Sequence, residues 1–182
     1  MKKIILAMVA VMVPLMLSAG STDFWFRHFS VEDGLSSSAV RAIMQDKYGF
    51  MWLGTDDGLN RYDGTTIKIY RLNPEGVNDY ISFLYDTTDR IWIGTGDGVY
   101  IYDYETENFE PFKLLTAKGD SIKTNVNHIA EDRDGNLWFS TVGQGIFKYN
   151  ISKHYLERYE FTDADGLMAL SLIHISEPTR RS

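Results

Sequence analysis

The chain has 182 residues, of which 44% are hydrophobic and 24% are charged, a composition typical of a folded protein rather than a disordered one. Its formal net charge of −7 disfavours nucleic acid as a partner, because an acidic surface repels phosphate backbones. The lack of cysteine excludes a disulfide framework and a thiolate metal site.

Residues 1–20 have the pattern of a signal peptide. Lys2 and Lys3 form a positive n-region, residues 4–17 are apolar and residues 18–20 are small. The apolar stretch is shorter than the roughly 20 residues that a membrane-spanning helix needs, which favours a cleaved leader over an uncleaved anchor. We therefore predict export and a periplasmic location.

An aromatic-rich strand is predicted at Phe24–Phe29, followed by an acidic loop that ends at Gly34 and Leu35. The same order of strand, acidic loop, glycine and aliphatic residue recurs at residues 67–77 and 156–167, where it ends a repeat. Residues 24–29 are therefore predicted to be the last strand of a repeat whose other strands lie elsewhere.

One short sequence motif occurs three times. In two copies a Trp is followed by Gly, Thr, Gly and Tyr at positions +2, +3, +6 and +10; the third copy has Ser at +2, and its later Gly and Tyr come one residue further on. An Asp stands six residues before each Trp, and the Trp-to-Trp distances are 40 and 46 residues, which indicates a repeat architecture. The recurring residues are Trp52, Gly54, Thr55, Gly58, Tyr62, Trp92, Gly94, Thr95, Gly98, Tyr102, Trp138, Thr141, Gly145 and Tyr149.

Each repeat divides into four short strands separated by turn residues. We predict an all-β fold, a partial β-propeller of four-stranded antiparallel blades, with blade 1 at 35–70, blade 2 at 79–112 and blade 3 at 125–161. Residues 24–29 would close a last blade, and residues 162–169 would begin a truncated fourth blade. A solenoid of larger β-units is the alternative.

Within this fold, the recurring Trp is predicted to fill the gap to the neighbouring blade, and the small residue two places later lets that blade approach closely. Residues 114–124 form an insertion that explains the longer second spacing.

Residues 170–182 depart from the repeat pattern. The stretch from Leu170 to Arg180 resembles the translation of a transposase-end sequencing adapter. We predict that this tail is not native and contributes nothing to the protein's function.

Residues 34–40, 46–55 and 57–63 together resemble the two-component-regulator propeller repeat. The resemblance extends over about residues 24–167, and the third repeat departs from it at Ser140 and by one extra residue before Gly145. It implies the periplasmic sensor region of a hybrid two-component histidine kinase of the Bacteroidetes type.

In that family an immunoglobulin-like domain, a membrane helix, a histidine kinase and a receiver follow the propellers, and the sensor usually detects glycan fragments. The resemblance thus implies that the full-length protein is a histidine kinase, a homodimer anchored in the inner membrane. It implies no enzymatic activity for this segment, which would meet the membrane only through downstream domains.

No catalytic residue, metal site or cofactor is predicted. The histidines have no metal-ligand spacing, Gly-x-Ser-x-Gly is absent, and the Asp-rich turns lack the regular spacing of a calcium loop.

A binding surface is predicted where the loop entering strand one and the turn between strands two and three meet, at the same end of each blade. This end carries planar polar and aromatic side chains, which suit a sugar; the alternative is that they only satisfy loop backbones. Ser36 and Ser37 lie there too, and the candidate ligand-binding residues are Arg41, Asp56, Asp57, Asp79, Tyr80, Asn125, Asn127 and Gln144.

The leading hypothesis is a sensor of oligosaccharides or other small periplasmic ligands that controls a downstream kinase. An exported propeller enzyme acting on polysaccharide, as a hydrolase or lyase, and a secreted non-catalytic propeller scaffold are the alternatives.

Overall fold

In the computed structural model the described residues are 26, 28–72 and 79–160. The predicted signal peptide, the start of a fourth blade and the non-native tail lie outside them and stay predictions. Phe24, Trp25 and Arg27 of the predicted closing strand also lie outside, while Phe26, His28 and Phe29 are not in a strand. The closing strand is therefore untested.

The described residues form three antiparallel sheets of four strands each, in chain order within each sheet. A short 3-10 turn at Val31–Asp33 precedes them. The strands are β1 Val40–Gln45, β2 Met51–Thr55, β3 Gly58–Tyr62 and β4 Ile67–Tyr70 in blade 1; β5 Ile81–Asp86, β6 Arg90–Thr95, β7 Gly98–Asp103 and β8 Asn108–Pro111 in blade 2; and β9 Val126–Glu131, β10 Leu137–Thr141, β11 Gly145–Asn150 and β12 Tyr155–Tyr159 in blade 3.

Successive sheets meet through their first strands, since β1 contacts β5 and β5 contacts β9. The first strand of each sheet is thus the inner strand and the fourth is the outer strand, as in a propeller blade. The predicted class, a partial β-propeller of four-stranded antiparallel blades, is confirmed.

The recurring Trp packs between blades. Trp52 of blade 1 is fully buried, and its ring centroid lies 5.1 Å from that of Tyr102 in blade 2. Trp92 of blade 2 lies 5.7 Å from Tyr149 of blade 3. Trp138 of blade 3 is only partly buried and stacks on Tyr159 of its own blade at 5.6 Å. The predicted packing role is therefore confirmed for the first two copies.

The glycine two residues after the Trp is required by the same contact. A Cβ on Gly54 would lie 2.6 Å from Cγ2 of Ile81 in the next blade, and a Cβ on Gly94 would lie 3.1 Å from the carbonyl oxygen of Val126. A side chain at either position would push the neighbouring blade away, because interiors are close-packed. The predicted close approach is confirmed.

The recurring Thr closes the turn between the second and third strands. The hydroxyl of Thr55 donates to the carbonyl of Gly58 at 2.9 Å, and the equivalent bonds of Thr95 and Thr141 are 3.1 and 2.6 Å long. Each accepting glycine has a positive φ, from 83° to 146°, which other residues rarely adopt. The Thr and the Gly therefore form this turn together, and we call the pair the Thr–Gly unit.

The Asp six residues before the Trp lies at the opposite end of the blade, where its carboxylate joins the turn between the first and second strands to the second strand. Asp46 accepts hydrogen bonds from the indole of Trp52 at 2.7 Å and from the backbone amides at positions 48 and 50. Asp132 does the same with the indole of Trp138 at 2.9 Å and the amides at positions 134 and 136. In blade 2, Asp86 accepts instead from the hydroxyl of Tyr104 at 2.9 Å.

Replacing Trp52 by Phe should destabilise the chain more than replacing Trp138 by Phe. Each change removes one indole hydrogen bond to an Asp, but only Trp52 is enclosed by the next blade. We expect losses of about 2 kcal/mol for Trp52→Phe and about 1 kcal/mol for Trp138→Phe in the free energy of unfolding, measured by urea denaturation. Equal losses would show that interblade packing adds nothing at Trp52.

Replacing Asp132 by Asn should destabilise the chain only where the carboxylate is ionised. Burial acts to raise the pKa of Asp132, but hydrogen bonds from Trp138 and Asn136 outweigh it and hold that pKa well below its usual range. A depressed pKa stabilises the fold above the unfolded value of about 3.9, and this stabilisation is lost as the pH falls from there through the folded pKa.

We therefore expect Asp132→Asn to cost about 1–2 kcal/mol near neutral pH and the deficit to shrink on acidification below about pH 4. Urea denaturation of the variant and the parent across that range measures it. A deficit that is constant with pH would contradict the role given to the charge.

Candidate ligand-binding face

Three equivalent hydrogen bonds hold the predicted binding end of the blades together. The backbone amides of Asp56, Gly96 and Val142 donate to the carbonyls of Ala39, Tyr80 and Asn125 at 3.2, 3.1 and 2.9 Å. The entry to strand one and the turn between strands two and three therefore share one end in every blade. We call this surface the loop face; it comprises residues 36–41, 56–57, 79–82, 96–98, 125–127 and 142–144.

A β-bulge interrupts the inner strand of each blade at this end. Register shifts lie between Val40 and Ala42, between positions 81 and 83, and between positions 126 and 128. The residues left out of the pairing are Arg41, Ser82 and Asn127. Bulges redirect side chains and often lie beside functional sites, so two of the predicted ligand residues, Arg41 and Asn127, occupy equivalent bulges.

Arg41 lies at the centre of the best-defined cluster on the loop face. Its Nε and Nη2 atoms donate to the two carboxylate oxygens of Asp56 at 2.7 and 2.9 Å, and its guanidinium carbon lies 6.0 Å from the ring centroid of Tyr80. The hydrogen bond with Arg41 lowers the pKa of Asp56. The structure thus brings together three of the predicted residues, across blades 1 and 2.

Asp57 and Asp79 have partners in the connection between these blades. Asp57 forms an ion pair with Arg71, with Nη2 and Oδ2 at 2.8 Å, and Arg71 was not predicted from the sequence. The carboxylate of Asp79 accepts from the amide of Leu72, at 3.1 Å to each oxygen. The contact of Asp79 matches the alternative that some of the predicted residues satisfy loop backbones, whereas Asp57 pairs with a side chain.

Gln144 anchors the insertion before blade 3. Its Oε1 accepts from the amide of Lys123 at 3.0 Å, and its Nε2 donates to the carbonyl of Ser121 at 3.3 Å. Oδ1 of Asn125 is buried and has no hydrogen-bond partner among the described residues, whereas Asn127 is exposed. Gln144 thus organises a part of the loop face away from Arg41.

Asn60 lies beneath the loop face and holds Ser36 in place by hydrogen bonds. It was not among the residues predicted from the sequence. It is fully buried; its Oδ1 accepts from the amide of Ser36 at 2.9 Å and its Nδ2 donates to the hydroxyl of Ser36 at 2.8 Å. That hydroxyl is 2.9 Å from the hydroxyl of Thr55. Little in the sequence pointed to this role, because Asn60 stands next to another polar residue, Arg61, in the same strand.

A family model described as the two component regulator propeller matches residues 34–57 and 121–143. Two segments of the chain thus match the two component regulator propeller. Each matched segment contains the inner strand, the first turn and the second strand of its blade, which is blade 1 for residues 34–57 and blade 3 for residues 121–143. Arg41, Asn125 and Asn127 lie inside these segments.

Relatives of these regulator propeller repeats occur in signalling proteins. A segment of 59 residues is 56% identical to Histidine kinase P4 of Formosa agariphila, and it spans 32% of this chain and 4% of that kinase. The extracellular domain of a hybrid two component system from B. thetaiotaomicron is similar with a TM-score of 0.66 and 30% identity, over 74% of this chain and 20% of that one.

A second extracellular domain from a B. thetaiotaomicron hybrid two component system has a TM-score of 0.57 at 24% identity, over 77% of this chain and 21% of that one, which shows the fold alone. The chain therefore spans about a fifth of each of these two extracellular domains, and its match to the kinase spans 4% of that protein. Within residues 28–72 and 79–160 no helix is long and apolar enough to cross a membrane, and no three His, Asp or Glu side chains are grouped to hold a metal ion.

Replacing Gln144 by Ala should loosen the insertion without affecting blade packing. The change removes the acceptor of the Lys123 amide, which should then exchange with deuterium about fivefold faster, corresponding to roughly 1 kcal/mol. Hydrogen exchange followed by mass spectrometry measures this. Asn127→Ala, at an exposed loop-face position, is the control, and equal exchange in both variants would contradict the anchoring role.

Proposed function

We propose that the chain is part of the ligand-sensing propeller of a hybrid two-component signalling protein and that its loop face recognises glycan fragments in the periplasm. The family match, the similarity to extracellular domains of hybrid two component systems and the similarity to a histidine kinase support this proposal. The kinase, the membrane anchor and a homodimer would belong to the full-length protein.

The observation that carries the proposal is the cluster of Arg41, Asp56 and Tyr80. A guanidinium and a carboxylate offer planar donors and acceptors to sugar hydroxyls, and an adjacent aromatic ring offers a face to the sugar C–H groups. The ion pair is exposed, and exposed ion pairs contribute little to folding stability. Its ordered, bidentate geometry is therefore better explained by recognition than by stability.

The cluster also suggests how binding could be transmitted. Arg41 and Asp56 belong to blade 1 and Tyr80 precedes the inner strand of blade 2. A ligand that contacts all three residues favours one arrangement of the two blades over others. Such differential binding is what a sensor needs to shift a conformational equilibrium in attached domains.

Surface plasmon resonance of the chain, immobilised at low density, against a panel of plant, algal and host oligosaccharides tests the proposal. We expect at least one glycan to bind and Arg41→Ala to weaken it by about tenfold or more. Arg90→Ala is the matched control, because Arg90 forms an equally exposed pair with Asp103, at 3.7 Å, at the other end of a blade. The proposal fails if no glycan binds, or if both variants bind equally well.

A further inference from the structure

A cleft of about 350 Å³ lies beside the loop face, between blade 2 and the insertion. The segment from Gly98 to Tyr100 forms one side, and the residues from Ser121 to Lys123 form the other. Pockets of this volume take small molecules. None of the residues that line this cleft belongs to the cluster of Arg41, Asp56 and Tyr80.

The walls of the cleft are fixed by the fold. The amide of Phe112 donates to the carbonyl of Val99 at 2.8 Å, and Gln144 holds the amide of Lys123. A Cβ on Gly98 would lie 2.9 Å from the carbonyl oxygen of Ile122, so the two sides meet without a gap at that point. The cleft is therefore formed before any ligand enters, which lowers the entropic cost of binding.

The cleft has a mainly apolar lining and one unsatisfied hydroxyl. Val99 and Ile122 are buried in its walls, beside the partly exposed Tyr100. Ser121 also lines the cleft; only 9% of it is exposed, and its Oγ has no hydrogen-bond partner among the described residues. A buried hydroxyl without a partner costs free energy, so a ligand that bonds to it recovers that cost.

Two lysines, Lys113 and Lys123, give the cleft a positive rim. Both are exposed, and neither ammonium group has an ion pair or a hydrogen bond within the described part of the chain. Asp97 lines the same cleft; its Oδ1 lies 2.7 Å from the hydroxyl oxygen of Thr95 and shares the single proton of that hydroxyl with the carbonyl of Gly98. In a chain with a net charge of −7, two lysines that line one cleft favour an anionic ligand here.

We propose that this cleft binds a sugar ring that carries one anionic substituent, a carboxylate or a sulfate. The anionic group lies between Lys113 and Lys123, and the apolar lining with Tyr100 covers the C–H face of the ring. Oγ of Ser121 is buried in the free cleft, and it pairs with a ring hydroxyl when the Ser121 side chain rotates about χ1 toward the ligand. This inference rests on the proposed function, because it specifies the class of glycan and adds a second contact site for it.

Three oligosaccharides of equal length test the inference on the immobilised chain: an oligogalacturonate, a sulfated galactan fragment and a neutral galactan fragment. We expect at least one of the two anionic sugars to bind more tightly than the neutral one, and its affinity to fall as salt is added. Comparison of the two anionic sugars distinguishes a carboxylate from a sulfate.

The double variant Lys113→Met and Lys123→Met should weaken anionic binding by about tenfold or more. Lys118→Met with Lys153→Met is the matched control, because it makes the same charge change at two exposed lysines outside the cleft. Ser121→Ala should lower the affinity while leaving the melting temperature unchanged or raised, since it removes an unsatisfied hydroxyl.

Each outcome separates this inference from the proposed function. Binding of the neutral fragment alone, or anionic binding that both lysine pairs affect equally, overturns the cleft assignment and leaves the glycan sensor standing. Binding to none of the three sugars overturns the cleft assignment, and binding to none of the wider panel overturns the sensor proposal as well.

Discussion

The burial of one blade's indole against the next blade is the contact on which the molecule depends. A single four-stranded sheet has two apolar faces and cannot bury either of them by itself. Trp52 and Trp92 complete the core only together with rings of the following blade, and Gly54 and Gly94 keep the sheets close enough for this. Stability is therefore a sum over neighbouring pairs of blades, as in other repeat proteins.

The two ends of each blade have different roles. At one end Asp46 and Asp132 accept hydrogen bonds from an indole and a turn backbone, so these carboxylates are committed to the fold. At the loop face the Thr–Gly unit closes the turn with backbone and hydroxyl groups, so the turn does not depend on the side chain of Arg41 or Asn127. Asp79 and Gln144, in contrast, hold the connections between blades. The proposed recognition is therefore assigned to the part of this end around Arg41.

The repeats made the fold predictable, since fixed spacings of Trp, Gly and Thr mark the strands and turns. They did not reveal contacts between residues far apart in the chain. The pairing of Asp57 with Arg71 and the burial of Asn60 under Ser36 depend on how loops fold back. The cleft was invisible for the same reason, because the chain from Ser121 reaches the Gly98 turn only through the folded insertion.

The bulge repeated in every inner strand has an evolutionary consequence. Arg41, Ser82 and Asn127 are a cation, a hydroxyl and an amide at the same structural position, and the strand register on either side of each bulge is the same in all three blades. A mutation at Arg41 or Asn127 changes a side chain of the loop face without altering how the sheet is paired, whereas the hydroxyl of Ser82 donates to the carbonyl of Val126 in the next blade. Under the proposed function, new specificities can therefore arise by single substitutions at the bulges of blades 1 and 3, with the strand pairing unchanged.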